Sequence, residues 1–193
     1  MNPLTSSDLT NLHEYELERP EFRRLVIDRK GRRRVALGPL MTLVFENSDT
    51  VRFQVQEMLR AERIVQPEKV QHELDVYNEL LPGPGEIAAT LFIEITDQAR
   101  IQEVLDGFIG LDEPGKLVVR VGAKAYPALF APGQAREDRI SAVHYIRFAL
   151  GDEGHAALAS AGDAALEVEH GDYRARQVLA PETVQELIGD LGQ

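Results

Sequence analysis

The alternation of apolar and polar positions changes period several times along this chain. The clearest helical period runs through residues 51–81, VRFQVQEMLRAERIVQPEKVQHELDVYNELL. Val51, Val55, Met58 and Leu59 fall on one face at 3.6-residue spacing. Proline suits the first turn of a helix and not its interior, so Gln66-Pro67 divides the stretch into two helices. Glu62 lies within the apolar stripe of the first, which predicts a buried carboxylate paired with Arg23, Arg32, Arg33 or Arg147. Phe53 and Ile64 lie on the other side, near Glu57 and Arg60, so this helix is predicted to pack on two sides. On the second helix Val70, Leu74, Tyr77 and Leu81 share a face, which makes Tyr77 a core residue. Asn78 stands near the helix end, where an amide side chain often serves the turn.

Before this pair, capping residues at 5–8 predict a helix through 18, and Pro20 starts a second one that Gly31 ends. Two short β-like runs, 33–37 and 41–46, flank Gly38-Pro39, and residues 47–50 supply a cap for the central helix. After it, LPGPGE is a turn-rich loop and marks a candidate internal boundary near Gly83 within one unit spanning 1–193. Beyond the loop come a strand at 87–95, a helix at 98–108, strands at 117–121 and 141–150, a helix at 155–161 and a strand at 165–170. That β-α-β-β-α-β order predicts an α+β fold: N-terminal helices with a β excursion, packed on a ferredoxin-like antiparallel sheet. A strand at 173–179 and a helix at 181–191 complete the chain. Pro127 predicts that the piece 125–130 is at most an edge strand.

Composition narrows the chemistry. There is no cysteine, which excludes disulfides, thiolate catalysis and a cysteine-ligated iron–sulfur cluster within the chain. The net charge of −11 argues against general affinity for nucleic acid or an anionic membrane. No apolar run reaches the roughly 20 residues of a membrane span, and the opening MNPLTSSDL lacks a signal-peptide pattern, so a cytoplasmic protein is expected. The charge is uneven: Arg23, Arg24, Arg29, Lys30, Arg32, Arg33 and Arg34 stand within twelve positions that hold one acid, Asp28. Such a run either pairs with the acidic remainder of the chain or docks an acidic protein or phosphate-bearing ligand.

Candidate chemistry centres on Gln54, Glu57, Arg60, Glu62, His144 and Arg147. Glu57 and Arg60 are three apart on a helix and can pair as a surface ladder or line an enclosed cleft. Alternation in SAVHYIRFAL places His144 with Ala142, Ile146, Phe148 and Leu150, and Val143, Tyr145 and Arg147 opposite. Glu57 or Glu62 is the expected acceptor for the His144 ring, an arrangement that would keep the imidazole charged near neutral pH. No metal-binding spacing of histidines is present, no Gly-x-Ser-x-Gly and no Walker loop, so metal ligands and a cofactor site are not assigned.

The runs RRVALGP, TLVFE, VRFQVQEMLRAERI, ELDVYNELLP, ATLFIEI, SAVHYIRFAL and VEHGDYRA are similar, over nearly the whole chain, to the bacterial domain-of-unknown-function family 3501. The resemblance implies no established activity. It implies an association with rubrerythrin-type and iron–sulfur proteins, beside which such members are commonly encoded. The chain departs from the family pattern at Glu137-Asp138-Arg139, a reduced acidic lead-in, and at Gly171, where proline is usual. Three functional classes follow. The first is a non-catalytic accessory or binding protein for an iron- or peroxide-handling redox system, docking through residues 23–34. The second is an enzyme with a polar Glu/Arg/His cleft, metal-dependent or not. The third is a structural or assembly subunit.

Overall fold

The computed structural model describes residues 1–133, 135–136 and 139–192. Its first long element is a single helix, α1 (Leu12–Arg33), capped by Asn11, whose side chain accepts from the Glu14 amide at 3.1 Å. The expected break at Pro20 and stop at Gly31 do not occur. Pro20 removes one bond to the Glu16 carbonyl, but Glu16 is exposed and water can take that carbonyl. A tight hairpin follows, β1 (Arg34–Leu37) and β2 (Met41–Glu46), then the helix pair α2 (Ser48–Glu62) and α3 (Pro67–Asn78) that Pro67 separates. The rest of the chain is β3 (Glu86–Ile93), α4 (Ile101–Asp106), β4 (Leu117–Val121), β5 (Lys124–Phe130), a small hairpin β6 (Ala135–Arg136) and β7 (Arg139–Ile140), β8 (Val143–Ala149), α5 (Gly151–Ala161), β9 (Ala164–His170), β10 (Tyr173–Val178) and α6 (Pro181–Leu191). No helix among the described residues is long and apolar enough to cross a membrane.

The ferredoxin-like expectation is corrected by the sheet. Eight strands pair in the order β1-β2-β3-β8-β5-β4-β9-β10, antiparallel throughout, and β1 comes round against β10 in a nearly closed barrel. A ferredoxin-like sheet would set β3 beside β9. Here β9 pairs with β4, and β5 is inserted between β4 and β8. Pro127 does not confine β5 to an edge. It sits where β5 changes partner, with Lys124–Pro127 against β4 and Ala128–Phe130 against β8, so the ladder is interrupted where proline lacks its amide. Strands from before Gly83, β1 and β2, complete the same sheet as those after it.

An eight-stranded barrel has an interior just wide enough for side chains to fill. Leu37, Leu43, Phe45, Leu91, Phe148 and Leu166 fill this one, all fully buried. Antiparallel order brings the ends of β3 and β5 and the starts of β4 and β8 to one mouth, where Phe108 and Leu111, after α4, enter the core. At the other mouth α5 and α6 contribute Leu158, Val184 and Leu187. The seam between β1 and β10 is tied by Tyr173, whose hydroxyl donates to the Leu37 carbonyl at 2.6 Å and accepts from the Leu40 amide at 3.1 Å. Gly38 is required beneath it: its φ is +74°, and a Cβ there would lie 2.6 Å from the Tyr173 oxygen.

Outside the barrel, α1, α2, α3 and the N-terminal segment form a second layer around Val51, Val55, Leu59, Leu74 and Leu81. Two amide side chains clamp the N-terminal segment as a strand would. Asn78 bonds both backbone groups of Leu4, at 2.8 and 2.9 Å, and Gln56 bonds both of Thr10, at 2.6 and 3.1 Å. Asn78 therefore serves a distant segment and not its own turn.

Candidate functional site

Cross-strand register sets Val44, Thr90 and Tyr145 in one row and Glu46, Ala88 and Arg147 in the next, on the outer face of β2, β3 and β8. The Asn47 cap then turns the chain into α2, which carries Thr50 and Gln54 back toward Glu46 at helical spacing. Glu46 is buried, 4% exposed, and its carboxylate lies at the helix cap. It accepts from the Thr50 hydroxyl, from Gln54 Nε2 at 3.1 Å and from the Thr90 hydroxyl at 2.7 Å. All three donors are neutral, and among the described residues no ion pair reaches it. Burying a carboxylate without a cation costs several kcal/mol in a low-dielectric site, which its hydrogen bonds offset in part.

Two adjoining cavities open over this floor. One, about 340 Å³, is bounded by Glu46, Thr90, Tyr145, Arg147, Glu79 and Leu129. The other, about 510 Å³, shares Glu46, Thr90 and Tyr145 and adds Lys30, Gln54 and Phe92. Together they form a groove between the helical layer and the barrel. Its rim is apolar and wet: Ile27 and Leu129 are each 52% exposed and Tyr145 39%.

The structure divides the six expected cluster residues among separate places. Gln54 and Arg147 reach the groove, where Arg147 donates to the Glu79 carbonyl at 2.6 Å and lies 3.9 Å from Glu86. Glu57 and Arg60 pair at 3.3 Å on another side of α2, facing α1. There Arg19 grips the Glu57 carboxylate with two bonds of 2.7 Å, and the Tyr15 hydroxyl adds a third at 2.8 Å. The hydrogen bonds from Arg19 outweigh burial and hold Glu57 well below the usual carboxylate range, at about 2. Burial and the Glu57 carboxylate push the Tyr15 phenol up. Glu62 is exposed, which corrects the buried-pair expectation. It is the last residue of α2, and Arg63 leaves the helix in a left-handed conformation with φ 54°, so the apolar stripe ends before Glu62 is covered.

His144 is fully buried and shares its inward face with Ile146 and Phe148, as alternation requires. Its Nε2 lies 2.8 Å from the Ser141 carbonyl, so that nitrogen carries the proton. Neither Glu57 nor Glu62 is its acceptor. Nδ1 has no hydrogen-bond partner among the described residues, and Phe130 meets the ring edge-on at 5.4 Å. Burial lowers the His144 pKa against smaller upward pulls from Ser141 and Asp112, so the imidazole is neutral, the reverse of the expected charged state. An NMR titration should place its midpoint below the ordinary value of about 6.5. Glu57→Gln should leave that midpoint unmoved, and a midpoint above 6.5 would contradict this environment.

Most of the basic segment is paired. Arg29 meets Asp49, Arg32 meets Asp28 and Glu186, Arg34 meets Glu94, and Arg33 is fully buried against Asp190 and Glu186. Arg24 lies 3.9 Å from Glu21 with both side chains exposed, while Arg23 and Lys30 carry no ion pair among the described residues. Of the residues that depart from the family pattern, Glu137 and Asp138 lie outside the described residues. No group of three or more His, Asp or Glu side chains among the described residues is placed to hold a metal ion.

Glu46, Thr90 and Tyr145 are the groove residues that the candidate cluster lacked. The signal was an acid closing the apolar run TLVFE, followed at four and eight positions by Thr50 and Gln54 across a helix cap.

No curated protein matches the chain. A crystal structure at 1.90 Å of a novel protein of unknown function from Burkholderia pseudomallei K96243 is 32% identical, with a TM-score of 0.90. The match covers 98% of this chain and all of that one. The model of a protein family of unknown function, DUF3501, matches residues 3–191. The chain therefore belongs to the DUF3501 family.

Proposed function

We propose that this protein is a non-catalytic binding protein whose ligand lies in the groove over β2, β3 and β8. The observation that carries this reading is a preformed concave site with an apolar rim and a few converging polar groups around the buried Glu46. An acid–base reading has less to work with. The His144 ring is inside the barrel, and Glu57 is committed to Arg19 and Tyr15. The accessory role in an iron- or peroxide-handling redox system rests on the family resemblance. Docking on an acidic partner would fall to Arg23, Arg24 and Lys30, since the other charges of the segment are engaged within the chain.

The test is a ¹H–¹⁵N spectrum followed against a panel of small amines, alcohols, carboxylates and sugar phosphates. Binding should move the amides of Val44, Thr90 and Tyr145 and leave the probe chemically intact. Movement confined to other surfaces, or conversion of a probe, would overturn the reading.

A further inference from the structure

We infer that the groove selects a cationic head group, a primary ammonium or guanidinium on an apolar body, with Glu46 as its counter-ion. The inference rests on the binding reading of the groove and adds the chemistry of the ligand to it.

A carboxylate offers about four acceptor positions. Among the described residues, Oε2 of Glu46 takes Thr50 and Gln54, whereas Oε1 takes Thr90 alone. One acceptor position is therefore left on a side chain that lines both cavities. Its neutral donors fix the carboxylate in place without cancelling its charge, so a cation arriving from outside gains an oriented acceptor in a site largely shielded from water. Orientation is secured in advance, since Thr50 is set by the helix cap and Thr90 by the register of β3.

The surrounding charge points the same way. Among the described residues, the smaller cavity is walled by Glu79 and Glu86 against one cation, Arg147, which is held by the Glu79 carbonyl and stands near Glu86. In the larger cavity Arg34 is engaged by Glu94. Lys30 is the internal rival for Glu46, since it lines the same cavity and has no ion pair among the described residues. Its ammonium is nevertheless not within ion-pair distance of the carboxylate. The apolar body of the ligand would lie along Val44, Phe92 and the ring of Tyr145, toward the exposed Leu129. A small apolar molecule carrying one ammonium matches this division between a charged floor and an apolar rim.

Three probes of equal length separate the alternatives: hexylammonium, hexanol and hexanoate, titrated into the full chain and followed at the Thr90 and Tyr145 amides. Hexylammonium should bind at least about tenfold tighter than hexanol, the usual scale of one charge-assisted contact, and hexanoate weakest. Glu46→Gln should bring hexylammonium down to the level of hexanol, and Lys30→Met should leave the order intact. Equal binding of hexylammonium and hexanol would overturn the cation inference while the groove remained a binding site. Hexanoate binding best would overturn it in favour of Lys30 as the anchor. Failure of all three probes to reach these amides would overturn the inference and the binding reading together. Because the wild-type series alone ranks the head groups, the result stands even if Glu46→Gln does not fold.

Discussion

Arg33→Ala should destabilise the protein by about 3–5 kcal/mol, the largest single-residue effect expected outside the apolar core. Arg33 is fully buried where α1 passes into β1, and its guanidinium is met by Asp190 of α6, with Glu186 at 3.5 Å. The Thr183 hydroxyl donates to the neighbouring Arg32 carbonyl at 2.6 Å, and Asn47 Nδ2 lies 3.5 Å from Asp190. Removing the arginine leaves a buried carboxylate without its cation and loosens α6 from the barrel mouth. Asp190→Ala should cost a similar amount, and the double change Arg33→Met, Asp190→Leu should recover most of the loss, because an apolar pair of similar volume has no charge to desolvate. Denaturant midpoints at constant slope measure all three. A single-variant loss below about 1 kcal/mol would show that the pair does not hold this junction. Burial pushes the Asp190 carboxyl up to about 6, against the pull of Arg33. The folded state therefore binds the extra proton between 3.8 and about 6, and this group's contribution falls as pH rises through that window.

Glu57 behaves with the opposite sign. Its folded-state value of about 2 lies below the ordinary 4.5, so its contribution is fully present above 4.5 and is lost as pH falls toward 2. The side chain is 24% exposed, and after allowing for screening the shift corresponds to about 2–3 kcal/mol. Glu57→Gln should cost that much at pH 7, because it unties Arg19 and Tyr15 of α1 from α2. The difference from wild type should shrink steadily between pH 4.5 and 2. A difference that stayed constant across that range would show that packing, and not the carboxylate, joins the two helices.

The sequence made some of this legible and hid the rest for identifiable reasons. Pro67 and the 3.6-residue stripe Val51–Val55–Leu59 determine the helix pair locally, and the alternation in SAVHYIRFAL puts His144 inside. The barrel depends on which strand lies beside which. Each strand alternates in the same way whether the sheet is open or closed, so the period cannot distinguish β9 beside β3 from β9 beside β4. Pro127 was misleading because its missing amide is accommodated at a change of partner within the sheet. Glu62 was misleading because a helical wheel extends the stripe past the point where Arg63 ends it. In the groove, Arg147 and Gln54 were found from chemistry. Glu46 is concealed as the last residue of the run TLVFE, whose apolar members are accounted for by strand packing alone.

The tyrosine tie across the barrel seam bears on how the sheet assembles. Tyr173 and Leu37 are 136 residues apart, whereas each neighbouring hairpin closes over a few residues. Loop-closure entropy rises with separation, so the hairpins can form early while the seam waits for nearly the whole chain. Tyr173 ties the seam at one mouth, and the Arg33–Asp190 pair, 157 residues apart, joins α1 to α6 near the other. The Leu40 amide, which donates to the Tyr173 hydroxyl, should exchange with solvent faster than the amides of β3 and β8. A barrel of this kind is a strip of sheet with a latch, and exchange of the Leu40 amide reads whether that latch opens where β1 meets β10.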